Sequence, residues 1–254
     1  MRGFRPNAPA GFADVNDELE ISVGVTDAES QVADLKFNWS APVGSFIGSG
    51  AKVNWKAPSD AATPMEVTLS VEVVETYTSQ GKSVENKASG STKVMLHNSV
   101  REVSELSRQF LLDFSVSAIP VDQVMRNFQQ GCYGTAEETQ QVANNRRDFS
   151  IVQSFVDTVA RTFINFKGRC PFRQKDGDAC SRISVRWESR AITNVYDTFT
   201  GALVFRPGDP TTAWGVDQLA ANYYPDQKRW KLCDSQFEPE VNSLHANRLR
   251  GLVP

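Results

Sequence analysis

Between Leu19 and His97 apolar residues fall on every second position in short runs separated by turn residues. The runs are LEISVGV (Leu19 to Val25), LKFNWSA (Leu35 to Ala41), AKVNWKA (Ala51 to Ala57), MEVTLSVEVVE (Met65 to Glu75) and STKVMLH (Ser91 to His97). Short period-two runs at this spacing predict the strands of an antiparallel sandwich, with Trp39 and Trp55 as core anchors. The polar stretch YTSQGKSVENKASG, Tyr77 to Gly90, has no apolar period and is expected as a loop. At Ser99 the period changes. Ser99 and Glu102 make a capping box, and Val103, Leu106, Phe110 and Phe114 follow at helical spacing. A second helix is predicted from Pro120, burying Val121, Val124, Met125 and Phe128 and stopping at Gly131, and a third from Thr135 to near Arg147. Strands follow, ending in a hairpin from Asp217 to Phe237. There Leu219, Ala221 and Tyr223 alternate with polar or small residues, Pro225-Asp226-Gln227 turns the chain, and Trp230, Leu232 and Phe237 return on apolar positions.

The 254 residues exceed a typical single domain and favour two. The division predicted is an extended lead-in at 1–16, a β-domain at 17–98, an α+β domain at 99–240 and a C-terminal tail at 241–254. No run approaches the ~18 apolar residues of a membrane helix, so no transmembrane segment is expected. Residues 1–98 carry 8 Lys+Arg against 12 Asp+Glu, and residues 99–254 carry 19 against 18. Neither balance is basic enough for a nucleic-acid partner.

The four cysteines, Cys132, Cys170, Cys180 and Cys233, all lie in the second half. They contain no C-x-x-C pair, and His97 and His245 lie outside them, so disulfides are favoured over zinc. Three connectivities exist. The preferred one clips Cys170 to Cys180 across a turn-rich segment and joins Cys132 to Cys233. Cys233 lies on the opposite face of its strand from Leu232, free to reach a packed element. Disulfides imply an extracytoplasmic setting, periplasm or cell surface, although MRGFRPNAPAG has no apolar core of an export signal.

The run TDAESQVADLKFNWSAPVGSFIGSGAKVNWKAP followed by VTLSVEVVE resembles bacterial immunoglobulin-like domains of the polycystic-kidney-disease-repeat type. That resemblance implies a surface-exposed spacer or adhesion module. The phrase SELSRQFLLDFSVSAIPVDQVMRNF, with the closing RWKLCDSQF, resembles the nuclear transport factor two-like (SnoaL-like) superfamily. It implies a cone-shaped α+β fold, three helices packed on a curved antiparallel sheet, with a pocket between them. The fold class expected is therefore an all-β immunoglobulin-like sandwich followed by that cone.

Candidate pocket residues are Phe128, Trp187, Tyr196 and Tyr223, with Arg186 and Glu188 beside Trp187; alternating aromatics on a strand also serve as core. Asp234, Asp176 and Asp178 are the other acidic candidates, the last two favoured as turn residues. Asp27, Glu29 and Asp34 form an acidic turn read as a solvated loop rather than a calcium site. No nucleophile elbow, phosphate loop or metalloprotease motif occurs, so no catalytic residue, metal or cofactor is assigned. The function expected is a non-catalytic binding or structural module working through other proteins. A self-assembling surface subunit, or a small-ligand pocket protein of the isomerase or dehydratase kind, is the alternative.

Overall fold

The computed structural model describes residues 2–3, 8–26, 35–164 and 179–239, except the side chains of 2–3 and 157–160. The acidic turn at Asp27, Glu29 and Asp34, the loop carrying Asp176 and Asp178, the cysteine Cys170 and the tail 241–254 lie outside those residues. The chain divides into two compact units, Met1–Ser99 and Val100–Pro254.

The first unit is built from β1 (Arg2–Gly3), β2 (Phe12–Asp14), β3 (Glu18–Ser22), β4 (Lys36–Ser40), β5 (Ser45–Ile47), β6 (Lys52–Lys56), β7 (Met65–Ser79) and β8 (Lys82–His97). They form two four-stranded sheets, ordered β1-β3-β6-β5 and β2-β8-β7-β4. Alternation sends Leu19, Ile21, Val53 and Trp55 from one sheet, and Val67, Leu69, Val94 and Leu96 from the other, into one core. The indole of Trp55, fully buried, donates from Nε1 to the Val43 carbonyl at 3.1 Å. Gly44 at φ 80° lies against that indole, where a Cβ would come within 2.6 Å of Nε1. The stretch from Tyr77 to Gly90 is not a loop: β7 and β8 stay in register from Met65↔Leu96 to Ser79↔Lys82. Backbone pairing holds this ribbon, so with both faces in solvent it needs no apolar period.

The second unit opens with α1 (Ser99–Ser115), α2 (Val121–Val124) and α3 (Thr135–Asp148) and continues as β9 (Phe149–Phe163), β10 (Ala179–Ala191), β11 (Val195–Tyr196), β12 (Leu203–Phe205), β13 (Pro210–Tyr224) and β14 (Arg229–Pro239). The main sheet runs β14-β13-β10-β9, antiparallel throughout, with β11-β12 as a separate ribbon. The cone-shaped three-helix fold expected for this half, and with it the fold class assigned to the chain, is corrected here. Among the described residues strand predominates, in several sheets, with only three short helices. The helix predicted from Pro120 to Gly131 makes only the four residues of α2 and a 3-10 turn at Met125–Asn127. Val124, Met125 and Phe128 are buried and Val121 half-buried, but Phe128 is extended at φ -86°, ψ 143° and bridges Leu232 in parallel. Pairing with a strand edge therefore wins over continuing the helix.

That edge is covered rather than left open. Gln129 N–H donates to the Leu232 carbonyl at 2.9 Å and Gly134 N–H to the Cys233 carbonyl at 3.1 Å. Cys132 and Cys233 are joined by a disulfide, their Cα atoms 5.3 Å apart. Gly134 has no room for a side chain, since a Cβ would fall 2.3 Å from the Asp234 carboxyl carbon. On the helical side, Val103, Ser107, Phe110 and Leu111 are buried at three- and four-residue spacing. Arg146 closes the end of α1: its guanidinium donates to the carbonyls of Asp113 (2.8 Å), Phe114 (3.3 Å) and Val116 (2.8 Å), and also to that of Ile119. A cation satisfying carbonyls past the last turn also complements the helix dipole. Among the described residues no helix is long and apolar enough to cross a membrane.

Two expected outcomes follow from these ties. The double change Cys132→Ser and Cys233→Ser frees a loop spanning 101 residues and should lower the unfolding free energy in urea by about 2–5 kcal/mol. Arg146→Met keeps the apolar stem but strands the carbonyls, and should cost about 2–4 kcal/mol in the same assay.

Candidate functional site

Side chains two apart on a strand share a face, and the inner face of the main sheet uses this to line a cavity of about 100 Å3. Trp187 and Ser189 come from β10, Ala213 and Asp217 from β13, Ser235 and Phe237 from β14, and Phe149 and Ile151 from β9. The register sets Trp187 opposite Ala213 and Asp217 opposite Phe237. Across from the sheet, α1 supplies Phe110, Leu111 and Phe114, and α3 supplies Glu138, Gln141, Asn145 and Arg146. The indole of Trp187 is held between Phe114 and Phe237, ring centroids 5.1 and 5.2 Å away. The walls are thus largely aromatic, with the polar groups gathered on α3, Asp217 and Ser235.

Asp217 is the chemically distinctive group. It is 3% exposed, and its Oδ1 accepts a 2.8 Å hydrogen bond from the Ser235 hydroxyl. Burial pushes its carboxyl up to about 6, against hydrogen bonds from Ser235 and the backbone of Gln218 and Gln236; the nearby charge of Asp234 adds to the rise. At neutral pH it is therefore mostly a carboxylate, held in an apolar chamber. Among the described residues no cationic side chain pairs with it. Two buried donors also lack an acceptor among those residues, Trp187 Nε1 and Arg146 Nε. Burial lowers the pKa of Arg146 while the charge of Asp113 raises it.

Of the six pocket residues expected from sequence, the structure places Trp187 in the lining. Phe128 is buried one layer back, its ring edge-on to Phe110 at 4.9 Å. Arg186 and Glu188 point to the opposite face of the sheet, where they pair with each other. There the Arg186 guanidinium lies over Phe155 (5.2 Å) and Trp214 (5.6 Å). Tyr196 sits on the β11-β12 ribbon, 52% exposed. Tyr223 packs edge-on against Trp230 at 5.4 Å, its phenol pushed up to about 12 by burial and the charge of Glu102. Asp234 is buried against Gly134, and its Oδ1 accepts from the Ser235 backbone at 2.8 Å, a structural position. Cys132–Cys233 is formed, and the 170–180 pairing lies outside the described residues. Lining residues that sequence reading passed over include Asp217, Ser235 and Glu138. For Asp217 a signal existed: it stands two residues before Leu219 and four before Ala221, on the buried phase of its strand.

Compared with protein-family models, with curated proteins and with solved structures, the chain matches none of them.

The raised carboxyl fixes a pH dependence. Asp217 rises from 3.8 to about 6 on folding, so between those values the folded state holds more protons than the unfolded one and stability falls as pH increases. We expect a loss of about 2–3 kcal/mol from pH 4 to pH 6.5. It is measured as the difference between the wild-type chain and Asp217→Asn, which removes this component. Parallel pH profiles for the two would contradict the burial of this carboxylate.

Proposed function

We propose that the second unit is a small-ligand-binding module. The observation that supports this reading is the combination of a built cavity, aromatic walls and a buried carboxylate that has no cationic partner among the described residues. Small-molecule sites have this composition, an apolar lining with few convergent polar groups, and a carboxyl displaced from its usual range by burial in a cleft is a functional-site candidate. The Cys132–Cys233 disulfide supports an extracytoplasmic setting. In this proposal the first unit serves as a spacer that carries the module.

A second reading, contact with other proteins, is favoured by one feature of the β11-β12 ribbon. Phe199 is 94% exposed, with Ile192, Tyr196 and Leu203 between 40% and 52% exposed on the same segment. The turn carrying Phe199 is ordered: Asp197 accepts from the Phe199 backbone at 2.8 Å and from the Thr200 hydroxyl at 2.9 Å. Clustered apolar exposure of this kind marks interaction surfaces.

Native mass spectrometry of protein isolated from its source tests the ligand reading. The expected result is a small molecule retained by the wild-type chain and lost when Ala213→Phe fills the cavity. A ligand-free wild type that also fails to bind any member of a fragment library by NMR would refute it.

A further inference from the structure

We propose that the ligand of this cavity is a small organic cation, a protonated amine on a compact apolar body, whose ammonium group pairs with Asp217. The inference rests on the ligand-binding reading above and narrows it to one charge class. Three features of the lining select that class.

First, the donors that hold Asp217 are neutral: the Ser235 hydroxyl at 2.8 Å and backbone N–H groups. Among the described residues no cation pairs with this buried carboxylate, which is costly, and a ligand bringing a positive charge recovers that cost on binding. Second, the cation that does line the cavity is committed elsewhere. The guanidinium of Arg146 donates to the carbonyls of Asp113, Phe114, Val116 and Ile119, which leaves only Nε without an acceptor. An anionic ligand would meet the Asp217 carboxylate in the same chamber while the guanidinium of Arg146 stays bonded at the end of α1, and like charges repel strongly in a medium of low dielectric. Third, the remaining walls suit a cation. Phe110, Phe114, Trp187 and Phe237 present aromatic rings to the chamber, and Trp187 is the centre of that cluster. Aromatic faces attract ammonium groups, most of all where water is excluded. An alcohol of the same shape gains the apolar burial but neither the ion pair nor the cation–π attraction.

The test is NMR titration of the full chain at pH 7.5 with benzylamine, benzyl alcohol and benzoate, one apolar body carrying three charges. The expected order is benzylamine about tenfold or more tighter than benzyl alcohol, with benzoate weakest. In Asp217→Asn the preference for the amine should disappear. A readout on the wild-type chain guards against a variant that does not fold: amine affinity should drop about tenfold from pH 7.5 to pH 5 as Asp217 takes up a proton, while the affinity of benzyl alcohol stays level. Among the described residues Glu138 and Arg146 on α3 and Asp234 on β14 are the other charged groups around this carboxyl, and the neutral alcohol reports any change they make to the cavity itself. Equal binding of amine and alcohol, or tighter binding of benzoate, overturns the cation proposal and leaves the ligand-binding reading standing. Failure of all three probes counts against that reading and takes the cation proposal with it.

Discussion

The second unit is organised around a carboxylate kept out of water. Asp217 stands on the inner face of a central strand, where the neighbouring positions of the same phase, Leu219 and Ala221, are fully buried. An ionised group there is tolerated only because fixed dipoles replace its hydration. Ser235 supplies one, directly bonded from the adjacent strand, and the backbone supplies the rest. The register of β13 on β14 is therefore also a register of donors on an acceptor. A slip of one residue would turn Asp217 to the outer face and bring Gln218 inward.

That register is secured from outside the sheet. Segment 128–134 closes the β14 edge with two backbone hydrogen bonds and a disulfide, and it delivers the chain into α3 at Gly134, where Asp234 allows only a glycine. Helix α3 then carries Glu138 into the cavity and Arg146 to the end of α1. One arginine thus ties the two helices that roof the chamber. The same commitment holds the one guanidinium among the described lining residues at the end of α1, so the scaffold and the charge distribution of the site are linked.

Much of this was legible in the residues, for reasons that differ by element. The closing hairpin was readable because its alternation is strict and its turn residues are strong, and Trp187 because a large aromatic in an alternating run must face some core. The β7-β8 ribbon was not, since backbone pairing of a long hairpin leaves no apolar trace when both faces are wet. The shortening of the predicted second helix was hidden too: Val121, Val124, Met125 and Phe128 are spaced for a helix, yet an open strand edge at Leu232 captures Phe128. Arg186, Glu188 and Trp187 are consecutive or nearly so, and alternation alone sends the two charged residues away from the indole. Aromatics drew the reading of the site, whereas its distinctive group is an aspartate that looks like an ordinary surface residue until its strand phase is counted.

The measurement that bears most directly on this account is a carboxyl-carbon NMR titration of Asp217 in the ligand-free chain. The structure places its midpoint at about 6, well above that of an exposed aspartate. A midpoint near 4 would mean that the carboxylate is solvated, and the cavity described here would lose the charge on which its proposed chemistry depends.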